Sequence, residues 1–250
     1  METDSVKLDN LLRQFIAEPN HFLQSVALVD GLHTYPVLAS SEPYAIAIEG
    51  QKVTPVFTSR DDLEVFCQEH PSAATQNWVE RSALAVLEEV ILHQLTGIVF
   101  NVKKTGDFGN STIFKSSEMI QFVNSFTSLI NDLMSDTNQA ANLLEKAYLV
   151  PVFIYPKSKD RHDRRFPTLS NEASQSFIPV FSTLTDFADW YHDEAFGLPF
   201  REMNGSVFVW QLKDIIQSGS DEAGDTLGVV VNPLADKQTI IEWSDIKGNR

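Results

Sequence analysis

The strongest constraint in this chain is a run of residues that occurs twice. Val53-Thr54-Pro55-Val56-Phe57-Thr58 leads into Ser59-Arg60-Asp61-Asp62-Leu63 and on to Phe66. Phe177-Ile178-Pro179-Val180-Phe181-Ser182 leads into Thr183-Leu184-Thr185-Asp186-Phe187 and on to Trp190. Each copy reads as a short buried strand, a hydroxyl that caps a helix (Thr58, Ser182), and an amphipathic helix. The repeat is domain-sized, so it predicts a tandem pair and not a solenoid.

The flanks repeat too. Each motif is followed by a helical stretch and an apolar strand ending in Asn: Gly97-Ile98-Val99-Phe100-Asn101 and Gly228-Val229-Val230-Val231-Asn232. Each is preceded by a strand containing proline, Tyr35-Pro36-Val37-Leu38 and Val150-Pro151-Val152-Phe153, and before that by a helix, over 8–17 and 128–135. Spacing between landmarks grows along the chain, which predicts loop insertions in the second copy.

These landmarks resemble the SseB N-terminal domain family, named after the bacterial "enhanced serine sensitivity" protein. The resemblance rests on Pro55 to Leu63 and Pro179 to Phe187, on Val150-Pro151-Val152, and on Gly228 to Pro233. The second copy fits better: Tyr35-Pro36 replaces the Val-Pro start in the first, and Val102 replaces the proline after Asn101. The family has no established reaction. The resemblance therefore implies a bacterial, intracellular setting and no catalytic residues.

The expected architecture is α+β, as two similar tandem units over 1–125 and 126–250, each a mixed, mostly antiparallel sheet flanked by helices. Strands near 35–39, 44–48 and 53–57 predict an antiparallel meander. The apolar spacing of Trp78, Val79, Ala83, Val86, Leu87 and Val90 predicts one helix over 78–95. The two copies should join near 124–127. Residues 156–176 read as a long loop, 193–204 as irregular, and 207–216 as either helix or strand. Prolines in strands should lie at strand starts or edges, because proline donates nothing to the ladder.

The net charge of −15 is shared by both halves and repels phosphate backbones and anionic bilayers, so nucleic-acid and membrane partners are not expected. The single cysteine, Cys67, excludes an intrachain disulfide. The amino terminus lacks a basic-then-apolar signal and no apolar run reaches the roughly 20 residues of a membrane span, so the expected location is cytoplasmic.

Few residues suggest chemistry. Lys157, Lys159, Arg161, Arg164 and Arg165, with His162 among them, form the one basic cluster; they suit a phosphate, a carboxylate or an acidic partner, or simply a solvated loop diluted by Asp160 and Asp163. Glu89 and His93 share a helix face and could begin a metal site, with His192-Asp193-Glu194 as a conceivable complement; an exposed helix face with an i,i+4 pair is by far the commoner explanation. Asp107-Phe108-Gly109 matches a kinase metal motif but lacks its companions, so a hairpin loop is expected. Asn204-Gly205-Ser206 reads as a turn. Cys67 has His70 at i+3, yet a half-buried thiol is the commoner outcome. No catalytic constellation, cofactor or metal is expected. The expected function is a non-enzymatic binding or regulatory module with a protein or small-molecule ligand; the alternative is a sensor or enzyme using a cleft between the copies.

Overall fold

The computed structural model describes residues 4–158, 161–217 and 225–247, and it is an α+β protein. Two compact units divide the chain, Met1–Thr127 and Ser128–Arg250. The division falls inside one continuous helix, α5 (Ser116–Met134), so the separate helix expected over 128–135 does not exist. Met119, Val123, Leu129 and Leu133 form one buried stripe through this stretch, which keeps the helix running.

The first unit begins with α1 (Asp4–Ala17) and α2 (Phe22–Thr34), followed by β1 (Pro36–Ser40), β2 (Ile46–Ile48) and β3 (Gln51–Val56). Then come α3 (Arg60–Glu69), β4 (Trp78–Ser82), α4 (Ala83–Leu92), β5 (Gly97–Phe100) and β6 (Thr112–Lys115). One sheet has the order β2-β3-β5-β6, with β3 and β5 parallel; β1 pairs with β4. The expected meander is therefore wrong, since β1 passes over β2 and takes a later strand as partner. The expected helix over 78–95 is also two elements: Trp78 to Ser82 lie beside β1, and the helix starts at Ala83. Trp78 is drawn into the strand by the aromatic cluster of Phe57 and Phe66, whose rings lie 5.5 and 6.1 Å away.

The second unit contains α6 (Asp136–Ala140), β7 (Ala147–Ser158), β8 (Arg161–Arg165), β9 (Leu169–Ser170) and β10 (Ser176–Val180). Then follow α7 (Leu184–His192), α8 (Gly197–Glu202), β11 (Ser206–Gln211), α9 (Leu212–Gln217), β12 (Gly228–Val231), β13 (Thr239–Glu242) and α10 (Trp243–Lys247). The strand order β9-β10-β12-β13 matches that of the first unit, and β7 pairs with β11 as β1 does with β4. Part of the expected 156–176 loop is strand: β8 extends β7 into a hairpin that the first unit lacks. The ambiguous 207–216 run resolves into strand then helix, and the irregular 193–204 stretch holds α8.

Register repeats as well. Val53 faces Gly97 in one unit and Phe177 faces Gly228 in the other. Both glycines are required by close approach: a Cβ on Gly97 would lie 2.0 Å from the Phe114 carbonyl oxygen, and one on Gly228 2.1 Å from that of Ile241. The strand prolines break the expected rule, for Pro55 and Pro179 sit in strands with neighbours on both sides. The reason is local. Val53 is the last β3 residue paired with β2, while Phe57 bridges to Leu38 of β1; Pro55 occupies the gap between the two partners. Pro179 occupies the same gap between Phe177, paired with Leu169, and Phe181, bridged to Leu149. A residue without an N–H belongs where the ladder changes partner.

Each sheet buries a continuous apolar face, as expected for parallel pairs covered by helices. Leu8, Leu12, Leu28, Val56, Ile98 and Phe100 centre the first core; Tyr148, Val150, Ile178, Val180, Val229 and Val231 centre the second. No helix among the described residues is long and apolar enough to cross a membrane.

Candidate functional site

In both units the parallel strands end at one corner, where a hydroxyl residue follows one strand and an asparagine follows the other. Open α/β arrangements place ligands at this carboxyl end. In the first unit Asn101 turns the chain with a positive φ of 47° and is fully buried. Its Oδ1 accepts from the Thr58 amide at 2.8 Å, and its Nδ2 donates to the Thr58 hydroxyl and to the Asn110 carbonyl. Because that hydroxyl is taken, the expected cap at Thr58 shifts by one residue: Ser59 caps α3 and receives the Asp62 amide at 3.1 Å.

Thr58 spends its own proton on Asp9 of α1, at 2.5 Å. The same carboxylate accepts from Asn110 Nδ2 at 2.6 Å and from Arg13 Nε at 2.7 Å. Asn110 Nδ2 also donates to Asp62 at 2.9 Å, and Lys103, whose side chain is only 6% exposed, reaches both Asp62 and the Asn110 side-chain oxygen. Burial acts to raise the Asp9 carboxyl, but hydrogen bonds from Thr58, Asn110 and Arg13, together with the Arg13 charge, outweigh it and hold the group below its ordinary 3.8. Two half-buried carboxylates are thus balanced by two cations and an amide, and together these side chains fill the corner. The long connection 101–111 supplies Lys103, Asp107 and Asn110; the second unit has only 232–238 here, so the longer loop belongs to the first copy and not the second.

The second unit keeps the latch and loses the seal. Asn232, at φ 51°, accepts from the Ser182 amide and donates to the Ser182 hydroxyl, both at 2.9 Å. Thr183, and not the expected Ser182, caps α7 through the Asp186 amide. Among the described residues no acceptor faces the Ser182 proton, and no acid pairs with the ammonium of the half-buried Lys146. Where Asp9 stands in the first unit, the second has an open pocket of about 470 Å³ lined by Leu133, Met134, Gln139, Lys146, Ser182 and Leu184 among others. A second groove of about 750 Å³ runs along Val209 and Gln211 with Asp132, Glu145, Lys213 and Asp214.

Of the residues singled out from sequence, the basic cluster lies on the β7–β8 hairpin and not on a loop. Lys157 and Arg161 belong to its strands by backbone alone, and Lys159 lies outside the described residues. Arg164 sits 5.4 Å over the Trp210 ring and Arg165 5.7 Å over Tyr155, so both guanidinium groups rest on aromatic faces. Glu89 binds Arg81 at 2.8 Å. The described residues contain no group of three or more potential metal ligands. Burial and then Glu64 push the Cys67 thiol up, against nucleophilic use, and the His70 ring packs on Phe66 at 4.5 Å. Asp107 pairs with Arg13 in the hairpin loop, and Asn204 takes a positive φ in its turn. Sequence reading missed Asp9, Arg13, Lys103 and Asn110; the i,i+4 pair Asp9 and Arg13 beside apolar Leu8 and Leu12 was the only local sign.

No protein-family model matches the chain, and no curated protein does. Among solved structures, Anabaena Tic22 (protein transport) is similar at a TM-score of 0.23 and 12% identity, over 82% of this chain and 91% of that one. Tic22 from Plasmodium falciparum gives a TM-score of 0.20 at 12% identity, over 79% and 89% of the respective chains.

Proposed function

We propose that this chain is a non-enzymatic binding or regulatory module of the SseB-like kind, acting in the cytoplasm and holding its ligand in the pocket of the second unit. One observation carries the reading: the same corner is filled by the protein's own side chains in the first unit and left open in the second. The pocket has the size of a small-molecule site, and its walls mix apolar side chains with a few polar groups. Neither Ser182 nor Lys146 has a general base or acid arranged beside it among the described residues, which favours binding over catalysis.

The test is a thermal-shift screen of amino acids, nucleotides and phosphorylated metabolites, run on the wild type and on Leu184→Trp, which fills the pocket. A ligand at roughly a hundred times its Kd stabilises by about 2.7 kcal/mol, a shift of a few degrees for a chain of this size. The reading requires at least one hit that Leu184→Trp abolishes. Hits unaffected by that substitution would remove the pocket from the argument.

A further inference from the structure

The first unit shows what its corner holds. The occupant is a carboxylate, that of Asp9, received by the hydroxyl after the first parallel strand and neutralised by Arg13 of its own helix. The hydroxyl is placed by the asparagine after the second parallel strand, which binds both its amide and its oxygen. In the second unit every positioning part is retained. Ser182 stands where Thr58 does, held by Asn232 through the same two contacts. The acid is missing, and with it the side chains that surround it in the first unit, Arg13, Lys103 and Asn110.

The second unit also differs in what surrounds the empty place. None of the residues lining the pocket is acidic, in a chain that carries a net charge of −15. Its one cation, Lys146, has no carboxylate partner among the described residues. Leu133, Met134 and Leu184 give the pocket an apolar wall, and Asn138, Gln139, Thr183 and Thr185 complete the lining. A hydroxyl with a proton to give, an unpaired ammonium and an apolar wall describe the complement of an amphipathic acid.

We infer that the pocket of the second unit binds a small carboxylic acid, its ionised carboxylate received by Ser182 and Lys146 and its apolar body lying against Leu133, Met134 and Leu184. The ligand thereby takes the place that Asp9 fills in the first unit. This rests on the binding reading given above and adds the chemical class to it. A charge-assisted contact to Lys146 supplies orientation, and the apolar wall supplies most of the burial.

The probe is N-acetyl-leucine, with N-acetyl-leucinamide as its neutral isostere, each titrated by ligand-observed NMR against the full chain. The expected result is saturable binding of the acid, at least tenfold weaker binding of the amide, and a loss of about tenfold in affinity for the acid on Lys146→Met. Ser182→Ala should weaken it as well; Lys146→Met, which removes no ion pair or side-chain hydrogen bond among the described residues, keeps the test valid if Ser182→Ala misfolds. Equal binding of acid and amide, unchanged by Lys146→Met, would overturn the carboxylate while leaving a binding pocket. No saturable binding of either probe would overturn the inference, and the broader reading would then depend on the ligand screen alone. A peptide ending in leucine that binds at least tenfold more tightly than N-acetyl-leucine would also overturn it, by reassigning the pocket to a chain terminus.

Discussion

The corner of the first unit and the corner of the second are built from the same strands in the same register, yet one is closed and the other open. Thr58 and Asn101 correspond to Ser182 and Asn232, contact for contact. The difference comes from what is added around them. The first unit adds Asp9 and Arg13 from α1 and a loop bearing Lys103 and Asn110. The second adds Lys146 and apolar side chains, and adds its extra chain length elsewhere, in the β7–β8 hairpin. A repeated scaffold therefore does not imply a repeated site. The backbone latch is common, and the side chains that reach over it decide whether the corner is structural or available.

Removing the latch should show the largest effect and the clearest contrast. Asn101→Ala leaves the Thr58 amide and the Asn110 carbonyl without partners in a fully buried place and puts alanine at a positive φ. A loss of about 3 kcal/mol is expected, against about 2 kcal/mol for Asn232→Ala, where fewer contacts are lost. Urea denaturation of the two variants measures both; losses under about 1 kcal/mol in each would show that the asparagines do not hold the corners.

The two corner lysines sharpen the comparison. Lys103→Met removes a cation that is 6% exposed and bound to Asp62 and Asn110, so about 2 kcal/mol should be lost, less than for a wholly buried pair because Asp62 keeps some contact with water. Lys146→Met should change stability by no more than about 0.5 kcal/mol, because no acid in the described structure relies on it. Similar losses from both substitutions would mean that Lys146 also has a structural role.

The smallest effect concerns pH. The folded state holds the Asp9 carboxyl below its ordinary 3.8, so the native protein binds that proton less readily than the unfolded chain. The stabilisation is complete above that value and is lost as pH falls through the folded pKa. Amide exchange near pH 3 should therefore report loosening around α1 and the 101–111 loop before the corresponding part of the second unit. Asp9→Asn should remove this pH dependence while costing about 1 kcal/mol at neutral pH. Parallel loosening of both corners would detach the effect from Asp9.

Much of the fold was legible because it is written in short-range patterns. The repeated Pro-Val-Phe-hydroxyl run announced strand and helix in both units. Errors arose where a distant partner outweighed local spacing. Trp78 has helical spacing with Ala83 and Val86, yet the aromatic cluster and β1 make it strand. Ser116 to Met134 is one uninterrupted helix, so the separate helix read over 128–135 is only its carboxyl end. The candidate site was less visible still. Asp9 and Asn110 meet across most of the first unit, and no spacing rule links them.

The sequence by itself determined the α+β class and most of the elements, because apolar spacing and turn residues act over a few positions. Only the tertiary structure decided the role of each hydroxyl. Thr58 and Ser182 looked like helix caps, and a cap is a local hydrogen bond. Each instead faces an asparagine from another strand, which takes that hydroxyl and moves the cap to Ser59 or Thr183. The Thr58 proton goes to Asp9 in one unit, while Ser182 lines an open pocket in the other, a difference set by which side chains the fold brings within reach.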